Sequence, residues 1–211
     1  MPSYDILEIA SWERFYRANF INSLTGFKSV NLIGTINSSG QTNLGIFSSI
    51  VHIGSNPPLI GFINRPIKAA PDTIANIEAT EIYTVNHIHP TFVQQAHQTS
   101  AKYDAGVSEF EQVGLTPEFH NPIASPFVKE SKIKYALSLQ EIIPIKLNDT
   151  FLVIGKVMFV VIEQDIVSED GFLQLDKINS ICSNGIDGYY TAEFLSRYQY
   201  ANPGVQPQKI N

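Results

Sequence analysis

The run Thr150–Ile162 (TFLVIGKVMFVVI) limits the fold more than any other segment of the chain. Its β-branched and aromatic side chains suit a pleated, half-buried surface, and Gly155 is the natural place for a bend. Shorter pieces repeat the signal. Residues 28–36 (KSVNLIGTI) are rich in β-branched side chains and stop at the turn residues Asn37-Ser38-Ser39-Gly40. Residues 43–53 resume strand character as far as Ser55-Asn56-Pro57-Pro58, and residues 59–63 end at Asn64-Arg65-Pro66. Further strands are predicted over 81–88, 132–139 and 141–145. Short strands cut by turn chemistry point to an antiparallel barrel or sandwich and away from βαβ units.

Helical signals are few and short. Asp72 stands ready to cap a helix over residues 73–79, with Ile74 and Ile77 on one face. Pro90 fits the first turn of another helix running through Phe92, Val93 and Ala96. Ser108 and Glu111 have capping-box spacing. They lie inside a long irregular stretch, residues 99–131, which also holds Gly106, Gly114, Pro117, Pro122 and Pro126. A loop of that length is expected to be functional or to cover something. The tail from residue 181 to 211 is aromatic and glycine-rich and is expected to pack across the barrel or a partner subunit. Without internal repeats or low-complexity segments, residues 1–211 read as one domain.

Composition narrows the function. The lone cysteine, Cys182, rules out an intrachain disulfide and a cysteine-based zinc site, and it fits a reducing compartment. The first ten residues carry acids where a secretory signal would need basic and then apolar residues, and no run approaches the roughly 18 apolar residues of a membrane span. The expectation is a cytoplasmic protein that does not engage a membrane. A net charge of −6 without clustered Lys or Arg argues against nucleic acid as a partner. Charged residues make up 16% of the chain, below the roughly one quarter of a typical globular protein, which favours an oligomer.

Most familiar chemistries find no support. His87 and His89 share a strand face, but His52, His97 and His120 have no ligand spacing to complete a metal site. Gly-x-Ser-x-Gly, Gly-x-Gly-x-x-Gly and P-loop patterns are absent, and Cys182 has no basic neighbour to activate it. Two segments remain. In the stretch from Asn43 to Val51, small hydroxyl residues sit in an apolar strand, which marks either close approach of a ligand to backbone or a half-exposed strand with a bulge. Arg65 and Lys68 precede Asp72-Thr73 at a helix start, where cations, a hydroxyl and free N–H groups make either a phosphate cradle or a solvated loop.

Taken in order, these segments resemble the flavin reductase-like, FMN-binding split-barrel family across roughly residues 20–205. The series runs Leu24-Thr25-Gly26 with Lys28-Ser29-Val30, Gly40-Gln41-Thr42-Asn43, Phe47-Ser48, and Pro57-Pro58-Leu59-Ile60-Gly61-Phe62. It continues with Arg65-Pro66, Asp72-Thr73 with Asn76-Ile77, Thr99-Ser100-Ala101-Lys102-Tyr103, and Ser108-Glu109-Phe110-Glu111 with Gly114-Leu115-Thr116. The resemblance implies an antiparallel, Greek-key split β-barrel with a few short peripheral helices. It implies one FMN per subunit of a homodimer, near the interface. The flavin ring would lie along Phe47, Ser48, Ser49 and Ile50, held by backbone groups. Its phosphate would be held around Arg65, Lys68 and Thr73, with Ser100 and Lys102 as further candidates. The family often has a basic residue just before Asp-Thr; here that position is Pro71, and Lys68 would substitute. The implied reaction takes hydride from NAD(P)H to the flavin and passes electrons to an acceptor, small molecule or protein, that the sequence does not name. No catalytic side chain is required. The alternatives are a flavin-binding electron-transfer or storage protein, and a relative with haem or a pyridoxal-type phosphate in place of flavin.

Overall fold

The computed structural model describes residues 1–68, 71–104, 106–163 and 165–210. Two helices come first, α1 (Ile6–Ser11) and α2 (Arg14–Ser23), followed by strands β1 (Lys28–Ser29), β2 (Asn31–Ile36), β3 (Thr42–Phe47), β4 (Val51–Ser55) and β5 (Pro58–Asn64). Then come α3 (Pro71–Thr80), β6 (Ile82–His87), α4 (Val93–Gln98), α5 (Glu109–Val113), β7 (Pro117–His120) and β8 (Ile123–Val128). The two longest strands, β9 (Ile133–Ile145) and β10 (Thr150–Ile162), precede β11 (Ile181–Asn184), β12 (Gly188–Thr191), β13 (Arg197–Tyr198) and β14 (Lys209–Ile210).

Seven strands form one antiparallel sheet in the order β3-β2-β6-β9-β10-β5-β4. Its two edges, β3 and β4, are neighbours in the chain, joined only by residues 48–50. Four Cα steps from Phe47 to Val51 span at most about 15 Å, whereas the edges of a flat seven-stranded sheet would stand about 29 Å apart. The sheet must therefore curl until its edges nearly meet. The result is a barrel with an open seam, and the fold is the mainly-β split barrel that the resemblance implied.

The barrel is filled by Phe47, Phe62 and Tyr83, stacked edge-to-face at 5.0 and 5.6 Å, with Ile33, Val85, Leu137 and Val153 around them. On the other side of β2 and β3, Leu32 and Leu44 pack with Phe92, Ala96 and Phe110 from the α4–α5 region. β2 is thus covered on both faces, and residues 31–35 are all buried. Gly155 does more than bend β10. The register slips between Ile154 and Gly155, and a Cβ at 155 would lie 2.3 Å from the Tyr83 hydroxyl, so only glycine fits.

Several local expectations are corrected. The strand expected over 43–53 breaks at residues 48–50, because the chain crosses there from one sheet edge to the other. The two strands expected over 132–145 are one, continuous through a bulge opposite Gly155. The stretch 99–131, expected to be irregular, contains the β7–β8 hairpin. Its prolines mislead because the hairpin is a two-stranded sheet of its own, with edges that need no further donors. Glu118 holds the hairpin to β9 through buried Lys134, which also donates to Val128 O at 3.1 Å. Ser108 caps α5 by position only; its hydroxyl meets Thr42 Oγ1 at 2.7 Å, so no capping box forms. Among the described residues no helix is long and apolar enough to cross a membrane.

Candidate functional site

The seam leaves backbone chemistry open. β3 pairing ends with Phe47 opposite Asn31, and β4 pairing begins with Val51 opposite Gly61. Among the described residues, no backbone group of Ser48, Ser49 or Ile50 is bonded to another backbone group. Such half-buried N–H and C=O groups need a partner, which water or a ligand supplies.

The side chains here fix the backbone and leave the opening clear. The Phe47 ring turns into the core against Phe62, and Ile50 packs on the same cluster. Ser49 Oγ donates to Ile63 O and accepts from Ile63 N, both at 3.1 Å, and so ties the seam to β5. Ser48 is half-buried. Gly45 serves the packing of Phe47. A Cβ there would meet the Phe47 ring at 3.1 Å and Thr73 Oγ1 at 3.6 Å, so glycine lets the Phe47 ring lie close against β3.

Beside Gly45 lies a neutral hydrogen-bond network that sequence reasoning did not assemble. Asn43 Nδ2 donates to Thr35 Oγ1 at 3.1 Å and to Thr73 Oγ1 at 3.2 Å, and Asn76 Nδ2 donates to Thr35 Oγ1 at 3.0 Å. The signal lay in register: Thr35 and Asn43 are paired across β2 and β3. The network sets buried Thr73, in the first turn of α3, against the barrel wall. The helix starts at Pro71, so Asp72 is a first-turn acid and not the cap expected of it.

Arg65 and Lys68 lie exposed between β5 and α3, and no ion pair engages either among the described residues. Two cations ahead of a helix start can meet an anion. Ser100 donates its hydroxyl to His97 O at 2.7 Å at the end of α4, while Lys102 stands exposed on the loop that follows. That loop reaches α3: Gly106 and Val107 border a polar cavity of about 40 Å³ shared with Gln41, Asn43, Asp72 and Asn76. No described hydrogen bond or ion pair joins Ser100 or Lys102 to Arg65 or Lys68. Nearby, Glu109 accepts from Leu44 N at 2.9 Å, covering a free N–H on the edge of β3. Burial raises the Glu109 pKa, with the Asp72 charge adding to the effect.

The histidines are dispersed. His87 Nδ1 meets Ser180 Oγ at 2.8 Å, and burial pushes its pKa down to about 4. His89 caps the turn at Pro90–Phe92, accepting from Thr91 N, and His97 meets the Tyr189 hydroxyl at 2.7 Å. Among the described residues, no group of three or more His, Cys, Asp or Glu is placed to hold a metal ion.

Barrel and seam together define a split-barrel protein. The model of the flavin reductase like domain matches residues 27–175, and the chain belongs to this family. A solved split-barrel protein of Shewanella frigidimarina NCIMB 400, provisionally named a flavin reductase, is similar with 46% identity over 95% of this chain and 100% of that one, at a TM-score of 0.92. Component B of nitrilotriacetate monooxygenase from Bacillus cereus shares the fold at a TM-score of 0.80, with 20% identity over 92% of this chain and 97% of that one. Flavoredoxin of Desulfovibrio vulgaris (Miyazaki F) does so at 0.71, with 22% identity over 82% and 91%.

Proposed function

We propose that this chain is an FMN-dependent oxidoreductase of the reducing cytoplasm that takes hydride from NADH or NADPH and passes electrons to a separate acceptor. The observation that carries the reading is the seam, where the backbone groups of residues 48–50 bond to no other backbone group among the described residues. That donor set fits a flavin, whose ring edge alternates hydrogen-bond acceptors with an N–H. Bound flavin would supply the two-electron centre. The protein's own part is to orient and to neutralise. Backbone N–H groups at Ser48 and Ile50 would face the ring's carbonyl edge, where negative charge builds on reduction. Phe47 and Ile50 hold that backbone from the core side, and Ser49 holds it from β5. Thr73, Arg65 and Lys68 would take the phosphate, with Ser100 and Lys102 available from the adjoining loop.

A homodimer belongs to the same reading. Apart from Lys156, the outward side of β10 is apolar, and Met158 and Val160 on β10, Ile143 on β9, and Val51 and Ile53 on β4 are exposed. A strand with apolar residues on both sides is normally covered on both.

The test is the absorbance spectrum of freshly purified protein, then anaerobic titration with NADH and NADPH. Flavin colour bleached by either nucleotide at a catalytic rate is expected. FMN should bind more tightly than riboflavin, which lacks the phosphate. Colourless protein that takes up no flavin would overturn the reading. Bound flavin without turnover from either nucleotide would instead make the chain an electron carrier or flavin store.

A further inference from the structure

The first 24 residues form an arm with nothing packed beneath it. Neither α1 nor α2 contains a buried residue. Tyr4, Trp12, Tyr16 and Phe20 pack edge-to-face on one another with ring centroids 5.0 to 6.0 Å apart, which occupies one side of the arm. On the remainder, Ile6, Leu7 and Phe15 are 72%, 79% and 69% exposed. Helices of six and ten residues are too short to persist unsupported. The arm is nevertheless held at its base. Lys28 Nζ donates to Asn22 O at 3.1 Å and to Gly185 O at 2.9 Å, which pins the end of α2 to the β11–β12 turn. Gly26, at φ 73°, then turns the chain into β1.

Surface area indicates what covers it. A compact monomer of 23.5 kDa exposes about 9,800 Å² by the usual scaling with mass. This chain exposes 13209 Å², an excess of about 3,400 Å². A standard interface buries only about 800 Å² per partner, so the excess is on the scale of an obligate, intertwined dimer. Charge argues against the alternative of a lipid surface. The arm carries Asp5, Glu8 and Glu13 against Arg14 and Arg17, and so lacks the basic face that anionic membranes attract.

We infer that the arm of each protomer docks on a second copy of this chain, in a reciprocal two-fold exchange, through the face of Ile6, Leu7 and Phe15. The inference rests on the dimer proposed above and is independent of the flavin.

The experiment compares the full chain with a variant carrying Ile6→Glu, Leu7→Glu and Phe15→Glu, with circular dichroism to check folding. Light scattering over a dilution series should give twice 23.5 kDa for the parent and a dissociation constant raised at least about a hundredfold in the variant. Trp12 is the only tryptophan, so its emission should move to the red as the parent dissociates. If the triple variant fails to fold, Phe15→Ser read by the same two signals should still weaken association. A dimeric parent whose dissociation constant neither variant changes overturns the inference and leaves the dimer standing. A monomeric parent overturns both, while the flavin reading is judged separately by its spectrum. A monomer that co-sediments with anionic vesicles would assign the arm to lipid and overturn it as well.

Discussion

The two halves of the candidate site are built in opposite ways. At the seam the groups are neutral, buried or half-buried, and immobilised: Phe47 by Phe62, Ser49 by Ile63, Thr73 by Asn43. Between β5 and α3 they are charged and exposed, and Arg65 and Lys68 have no ion pair among the described residues. Immobilised dipoles meet a ligand without reorganising, whereas exposed cations must first lose rotamer freedom. The seam half should therefore fail whenever the barrel fails. The cation half should fail alone.

The largest effect should come from Phe62→Ala, which removes a fully buried ring that touches both Phe47 and Tyr83. A loss of about 3–5 kcal/mol is expected, seen as a melting temperature lower by about 6–20 °C, with riboflavin and FMN binding weakened together. Undiminished riboflavin binding would uncouple the seam from the core and break the contrast.

Acid offers a test that bears on the barrel alone. The folded-state pKa of His87 is lowered from 6.5 to about 4 by burial, so between those values the unfolded chain binds a proton that the folded chain refuses. The associated stability is full above pH 6.5 and is lost as pH falls towards 4, by up to about 3 kcal/mol. Urea midpoints across that range should decline less steeply for His87→Gln, and FMN affinity near neutral pH should be unchanged. A decline as steep as the parent's would exonerate His87.

Ser49→Ala should have a smaller effect on both properties at once. Losing the two hydrogen bonds to Ile63 costs about 1–2 kcal/mol of stability and loosens the backbone that the ring would contact. FMN and riboflavin affinities should fall together. A drop for FMN alone would move Ser49 into the phosphate half.

Lys68→Ala should leave the melting temperature where it was. FMN affinity should fall about tenfold, less in high salt, and riboflavin affinity should hold. Equal loss for both ligands, or for neither, would make Lys68 a solvated lysine and send the search for the phosphate to Ser100 and Lys102.

Much of this arrangement was legible beforehand because it depends on neighbours in sequence. The strands at residues 59–63, 81–88 and 150–162, the short helix after Asp72 and the proline-led turn at Pro90 each follow from local side-chain preference, and each appears within a residue or two of its expected bounds. Ser48, Ser49 and Ile50 stood out as small or apolar residues in an unusual run. Their shared role in a chain crossing did not, because it depends on which strands become the sheet edges. The Thr35–Asn43–Thr73–Asn76 network is not legible in sequence for the same reason: its members lie 8, 30 and 41 residues apart in their bonded pairs. The β7–β8 hairpin was hidden because proline penalises a strand only where its missing N–H would have been used.

By itself, then, the sequence determined the antiparallel β class, the family, and which short segments carry unusual chemistry, since each of these is a property of local pattern and ordered motifs. Only the tertiary structure decided that Phe47 faces inward, that the Ser49 hydroxyl is already committed, that Gly155 is demanded by Tyr83, and that the N-terminal helices stand clear of the body. The physical reason is that these outcomes depend on how a seven-stranded sheet curls and on what its faces meet, and such contacts join residues remote in the chain.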